Sequence, residues 1–141
     1  QKGDQIVAEA RRRVERNPTD LQLRFELGEQ LFRAGQYQEA IRELQQARQN
    51  PNARLKAMNL LGQCHTEKGM LDLAVKQFQD AASEILAMDA TKKEVLYKLG
   101  LVFEQMGKKE DSLKCMKEIY EADYGYLDVA KRVESSYNAD A

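Results

Sequence analysis

The sequence has no tryptophan, two prolines, two cysteines and one histidine among its 141 residues. Each shortage closes an option. So few prolines leave long stretches free of breakers, which favours helices over a sandwich of short strands. Cys64 and Cys115 are too few for a disulfide framework or a cysteine-based metal site. His65, standing alone, cannot supply a catalytic triad or a zinc centre. Charge of one sign is also missing. Twenty-two Lys and Arg against 23 Asp and Glu leave a net charge of −1, which gives no general pull toward nucleic acid or an anionic membrane. No signal peptide and no transmembrane run is present, so no membrane insertion is expected. The chain opens on Gln1 rather than Met, so a fragment is expected. Localisation is left open, with a cytoplasmic setting as the default, because the absence of a targeting signal from a fragment says little about its parent.

What is there is a repeat. Leu27-Gly28 recurs as Leu61-Gly62 and as Leu99-Gly100. The steps are 34 (62 − 28) and 38 (100 − 62) residues. Seven positions after each of these glycines stands another: Gly35, Gly69 and Gly107. A small residue follows in each copy, Ala40, Ala74 and Ser112, and then a large apolar one, Leu44, Phe78 and Met116. Ala47, Ala81 and Ile119 close the pattern. Self-similarity at such a period marks a stack of small structural units.

Each unit reads as two helices. In the first, Leu23, Leu27, Leu31 and Ala34 form one apolar stripe, and Leu21, Phe25, Gly28 and Phe32 form a second. Two stripes mean neighbours on two sides. Glycine inside a helix costs about 1 kcal/mol against alanine, so three at matched positions point to a close crossing within each pair. Gly35, Gly69 and Gly107 end the first helices, and Asn17-Pro18 and Asn50-Pro51 separate one unit from the next. The expected pairs are 20–34 with 37–49, 53–68 with 71–87, and 91–106 with 109–122. The four extra residues between the second and third copies are expected to add one helical turn and a loop at Met88-Asp89-Ala90-Thr91.

This pattern resembles the tetratricopeptide repeat over residues 18–122. Departures are Arg24, Met58 and Leu96 where the family often has Trp, Lys109 where Tyr37 and Leu71 stand in the other copies, and Ser112 for Ala. The fold class expected is all-α, a right-handed α-solenoid of three helix-turn-helix repeats in a single domain. Repeat 1 spans 18–52, repeat 2 spans 53–90 with its extended second helix, and repeat 3 spans 91–124. Residues 3–16 carry Ile6, Val7, Ala10 and Val14 on one face and map, one period back, onto a second helix. Residues 126–137 carry Tyr126, Val129, Ala130, Val133 and Tyr137 on one face, as a capping helix requires. The stretch from Ile119 onward resembles the ends of some bacterial members of the family.

The resemblance implies a protein-interaction module with an inner groove lined by the first helices. The positions that correspond to groove residues are Gln22, Phe25, Glu29, Phe32 and Arg33 in copy one. In copy two they are Lys56, Asn59, Gln63, Thr66 and Glu67, and in copy three Glu94, Tyr97, Lys98, Leu101 and Glu104. The expected partner is a protein or peptide. An architectural spacer, or a self-association segment of a longer array, is the alternative. In one subclass of the family a clamp of Lys and Asn grips a C-terminal carboxylate. Phe25 and Glu29 replace its first members here, so such tails are not expected to bind.

No chemistry beyond binding is expected: no catalytic residue, no cofactor and no metal. The glycines are singles at the repeat period rather than a phosphate loop. His65 takes the slot of Leu31 and Phe103, which marks it as a packed core ring. Arg11-Arg12-Arg13 is balanced by Glu9 and Glu15 and lacks the wide basic, aromatic surface of a nucleic-acid site. The expected state is a monomer or a weak self-associate.

Overall fold

A computed structural model describes residues 2–138. It contains eight helices and, among the described residues, no strand. In chain order they are α1 (Lys2–Arg16), α2 (Leu21–Arg33), α3 (Tyr37–Ala47), α4 (Arg54–Glu67), α5 (Leu71–Glu84), α6 (Ala90–Gln105), α7 (Lys109–Ala122) and α8 (Val129–Asn138). Contacts divide the chain into two compact units, residues 1–77 and 78–141, and the boundary falls inside α5.

One local device repeats three times. Gly35, Gly69 and Gly107 all adopt a positive φ, between 75° and 78°. A glycine reaches this left-handed region without the penalty a Cβ would bring. The amide three residues past each helix then reaches back five positions. Gln36 donates to the Leu31 carbonyl at 2.9 Å, Met70 to His65 at 2.8 Å and Lys108 to Phe103 at 2.9 Å. Orphan carbonyls are thereby satisfied and the chain reverses into the second helix.

In the first unit α2 packs on α1, α3 and α4, and α3 also packs on α4. A helix between neighbours needs two apolar stripes, and α2 has them. Leu27 and Leu31 from one stripe and Phe25 from the other join Val7, Val14, Leu44 and Leu61 in one buried cluster. The close crossing is real at Gly28, where a Cβ would stand 2.7 Å from both Cγ and Cδ2 of Leu44. Ala40 is fully buried beside it in the chain's core. Replacing Ala40 by Leu should therefore overpack the pair and cost about 1–3 kcal/mol, while Gln38→Leu, on an exposed position, should cost far less. Thermal melts of the two variants side by side decide it, and equal midpoints would count against the register.

The second unit repeats the plan: α6 packs on α7, and α7 on α8. Gly100 faces Met116 as Gly28 faces Leu44. Val129 and Val133 of α8 are buried. They lie 34 positions after Val95 and Leu99 (129 − 95, 133 − 99), so α8 keeps the register of a first helix.

Three expectations need correction. The second helix of the middle pair stops at Glu84 instead of running to residue 87. The Ile85 carbonyl, which a longer helix would use internally, accepts from Lys92 Nζ at 2.8 Å, and Asp89 caps α6 by accepting from the Lys92 amide at 2.8 Å. The added residues thus form a loop over 85–89, with Ile85 buried and Leu86 96% exposed. The last helix begins at Val129, three residues later than expected, after a turn in which Leu127 takes φ 43°. Tyr137, placed by its spacing on the buried face, is 66% exposed.

Candidate functional site

The expected groove positions are described unit by unit. In the first unit Gln22, Arg33, Lys56 and Glu67 are exposed, and Glu29, Phe32, Gln63 and Thr66 are half-buried. Arg33 pairs with Glu29 at 3.6 Å one turn away. Gln63 donates to Asn59 Oδ1 at 3.2 Å, and the Thr66 hydroxyl donates to the Gly62 carbonyl at 2.8 Å. Phe25 is different. It is only 6% exposed and belongs to the core cluster with Val7 and Val14 of α1. Phe32 packs against the same cluster and meets Tyr37 edge-on, with ring centroids 5.8 Å apart. The apolar part of this face is thus largely used in packing. What remains open is polar and of mixed sign. Beside it, between α1 and α2, is a cleft of about 570 Å³ whose lining includes Ile6, Ala10, Glu26 and Glu29.

In the second unit Glu94 and Glu104 are exposed, and Tyr97, Lys98 and Leu101 are half-buried. Lys98 pairs with Glu94 at 3.2 Å. Tyr97 and Glu104 are tied to α8 and the turn before it. The Tyr97 hydroxyl donates to Asp128 Oδ1 at 2.6 Å. Arg132 donates to Asp128 at 3.0 Å and to Glu104 at 3.0 Å, and its guanidinium lies 5.8 Å from the Tyr97 ring centre. Tyr126 meets Tyr97 edge-on at 6.1 Å, and Lys93 stands 5.9 Å over the Tyr126 ring while bonding Asp123 at 2.9 Å. Burial and the hydrogen bond to Asp128 push the Tyr97 phenol up, and the bond from Tyr97 holds the Asp128 carboxyl below its usual range.

Asp128 and Arg132 are not among the groove positions that the repeat register predicts. A signal was present: one period back they match Glu94 and Lys98, another acid and base four residues apart. They extend the first-helix surface of this unit onto α8. A second pair escaped notice in the first unit. Arg24, where the family often has Trp, donates to Glu43 at 2.9 Å and to the Pro18 carbonyl at 2.9 Å, with both charged side chains under one-fifth exposed. The Arg11-Arg12-Arg13 run is engaged throughout, with Glu39, Glu9 and Glu26 in turn.

The thiols do not form a reactive site. Burial, then Glu67, pushes Cys64 up to about 11; burial, then Glu118, pushes Cys115 up to about 12. No helix among the described residues is long and apolar enough to cross a membrane.

A chain of antiparallel helix pairs with matched glycines and matched turns is a helical-repeat protein, an all-α solenoid of helix-turn-helix units. Two family profiles, each described as a tetratricopeptide repeat, match residues 1–58 and 94–123. The chain belongs to the tetratricopeptide repeat family. Solved structures agree in fold. A crystal structure of MamA superposes with a TM-score of 0.79 at 17% identity, covering 95% of this chain and 76% of that one. MamA from Desulfovibrio magneticus RS-1, from residue 41 to its end, gives 0.78 at 16% identity, covering 89% and 68%. These likenesses concern the fold alone. Comparison with curated sequences found no match.

Proposed function

We infer that this chain, like other tetratricopeptide repeat scaffolds, recognises another protein through its helical surface. We propose that residues 1–141 act as one such domain and hold an extended peptide or a helix of a partner on the surface of the first helices. The observation that supports this is the division of labour on α2, α4 and α6. Each buries its apolar stripes against neighbours and leaves polar side chains of both signs outward, such as Arg33, Lys56, Glu67 and Glu94. Mixed charge of this kind favours a specific register over bulk attraction. Phe25 is removed from the contact surface by its burial, and Asp128 and Arg132 are added. We read the chain as having no catalytic role and the basic run on α1 as structural.

A second reading is that the repeats serve as a spacer. The packing of Phe25 with α1 and the tie between Tyr97 and Asp128 support it, since the chain itself uses the apolar groove positions.

A peptide library selected on the immobilised chain separates the two. The selected peptides should lose at least about tenfold in affinity with Lys56→Glu or Thr66→Arg, equivalent to about 1.4 kcal/mol, and little with Gln45→Arg on α3. Peptides indifferent to the first-helix changes, or no selected peptide at all, would favour the spacer.

A further inference from the structure

The outer surfaces of the two units carry the same positions with different residues. In the first unit Arg11 of α1 reaches Glu39 of α3, donating at 2.8 Å through Nη2, and Arg24 below is paired with Glu43. Two ion pairs span that face. In the second unit the matching positions, two periods on, are Gln79 and Asp111 at the rim and Leu96 and Cys115 below. A shallow cleft of about 320 Å³ lies there, between the end of α5, α6 and α7. Its floor is Leu96, Leu99 and Phe103, all at most 7% exposed. Its rim carries Lys92, Asp111, Lys114 and Glu118, two charges of each sign.

Beside this hole stands a knob. The loop over 85–89 is the insertion that breaks the 34-residue step, and residues of the chain on both sides of it line the cleft. Ala82 and Ser83 just before it line the cleft, and Lys92 just after it lines the cleft while bonding the Ile85 carbonyl. Leu86 on this loop is 96% exposed, the most exposed of the large apolar side chains among the described residues. An exposed leucine alone needs no explanation. A leucine on a loop that joins two lining segments of an apolar hole with a charge-balanced border can serve a self-complementary contact.

We propose that this face is a two-fold contact between two copies of the chain, with Leu86 of each copy seated in the cleft of the other. Such an isologous arrangement places every contact twice and closes on itself as a dimer. The rim favours a second copy over an acidic or basic partner, because it carries two charges of each sign and a second copy offers the same balance in return. The small area makes the association weak.

The test is sedimentation equilibrium of the full chain up to about 1 mM, where a weak dimer is populated. The wild type should show a monomer–dimer equilibrium. Leu86→Asp, which removes the knob, and Ser83→Arg, which blocks the hole from an exposed position, should each weaken it at least tenfold. Both variants should keep the wild-type melting midpoint at dilutions where all are monomeric, which shows that folding is untouched. A wild type that stays monomeric throughout, or a dimer that survives Leu86→Asp, overturns the proposal.

Discussion

Gly28→Ala should lower stability, and Gly100→Ala should not, although the two glycines hold the same place in their repeats. Alanine is the better helix former by about 1 kcal/mol, so propensity alone favours both changes. The crossing decides otherwise at Gly28. The added Cβ would stand 2.7 Å from Cγ and from Cδ2 of Leu44, and the Glu43 Cβ is 3.5 Å away. Leu44 is completely buried, and a rotation that clears its terminal methyl leaves its branch carbon in place. The helices must part, at a cost of about 1–3 kcal/mol for overpacking. At Gly100 the 2.7 Å contact is to the Met116 terminal methyl alone, with the next neighbours at an ordinary 3.4 Å. A methionine has three rotatable bonds with which to withdraw. Urea denaturation followed by circular dichroism should show a lowered midpoint for Gly28→Ala and an unchanged or raised one for Gly100→Ala. Equal losses in both would mean that the crossing distances do not govern the response.

His65→Leu should raise stability and remove an acid sensitivity. His65 is 5% exposed, its Nδ1 is buried without a hydrogen-bond partner, and the matching positions hold Leu31 and Phe103. A buried polar atom left unmatched costs about 1–3 kcal/mol, and leucine in the same slot avoids that. Burial also lowers the His65 pKa below its ordinary 6.5, with Asp72 opposing the shift. The unfolded chain then takes up the proton first. Stability is intact above the unfolded value, declines as pH falls below it, and levels off once the folded group is protonated too. Melting curves at about pH 7.5 and pH 5.5 should differ more for the wild type than for His65→Leu. An undiminished difference in the variant would place the acid sensitivity elsewhere.

The repeat made most of the architecture legible. Matched pairs such as Gly28 with Leu44, and three left-handed glycines, are local requirements that only a few residue types meet. The sequence therefore states them openly, and the helix ends follow within a few residues. The insertion is harder to read: Ile85 and Leu86 continue an apolar pattern beyond the end of α5, and the Ile85 carbonyl accepts from Lys92, seven residues away. Periodicity cannot show a side chain reaching back. The candidate surface was harder for the same reason. Exposed and core faces of a first helix are one residue apart in register. Phe25 occupies a position that could be either, and only the presence of α1 with Val7 and Val14 decides that it is core. Tyr97 was placed correctly on α6, but its engagement by Asp128 and Arg132 depends on α8 continuing the register.

That continuation carries a consequence for how such an array can grow. The slot of Gly28, Gly62 and Gly100 falls, one period further on, at Glu134, whose carboxylate accepts from the Tyr120 hydroxyl at 3.0 Å. In a linear chain of coupled units, each link needs a surface that welcomes the next. The α8 helix welcomes its predecessor through Val129 and Val133. In the register position where the earlier first helices carry a glycine, α8 carries the long charged side chain of Glu134. A duplicated second helix grafted after α8 would meet a Glu134 side chain where Leu44 and Met116 meet only a glycine. Lengthening the array by copying a repeat would thus first require restoring the glycine, so a single residue sets where the periodic packing can be resumed.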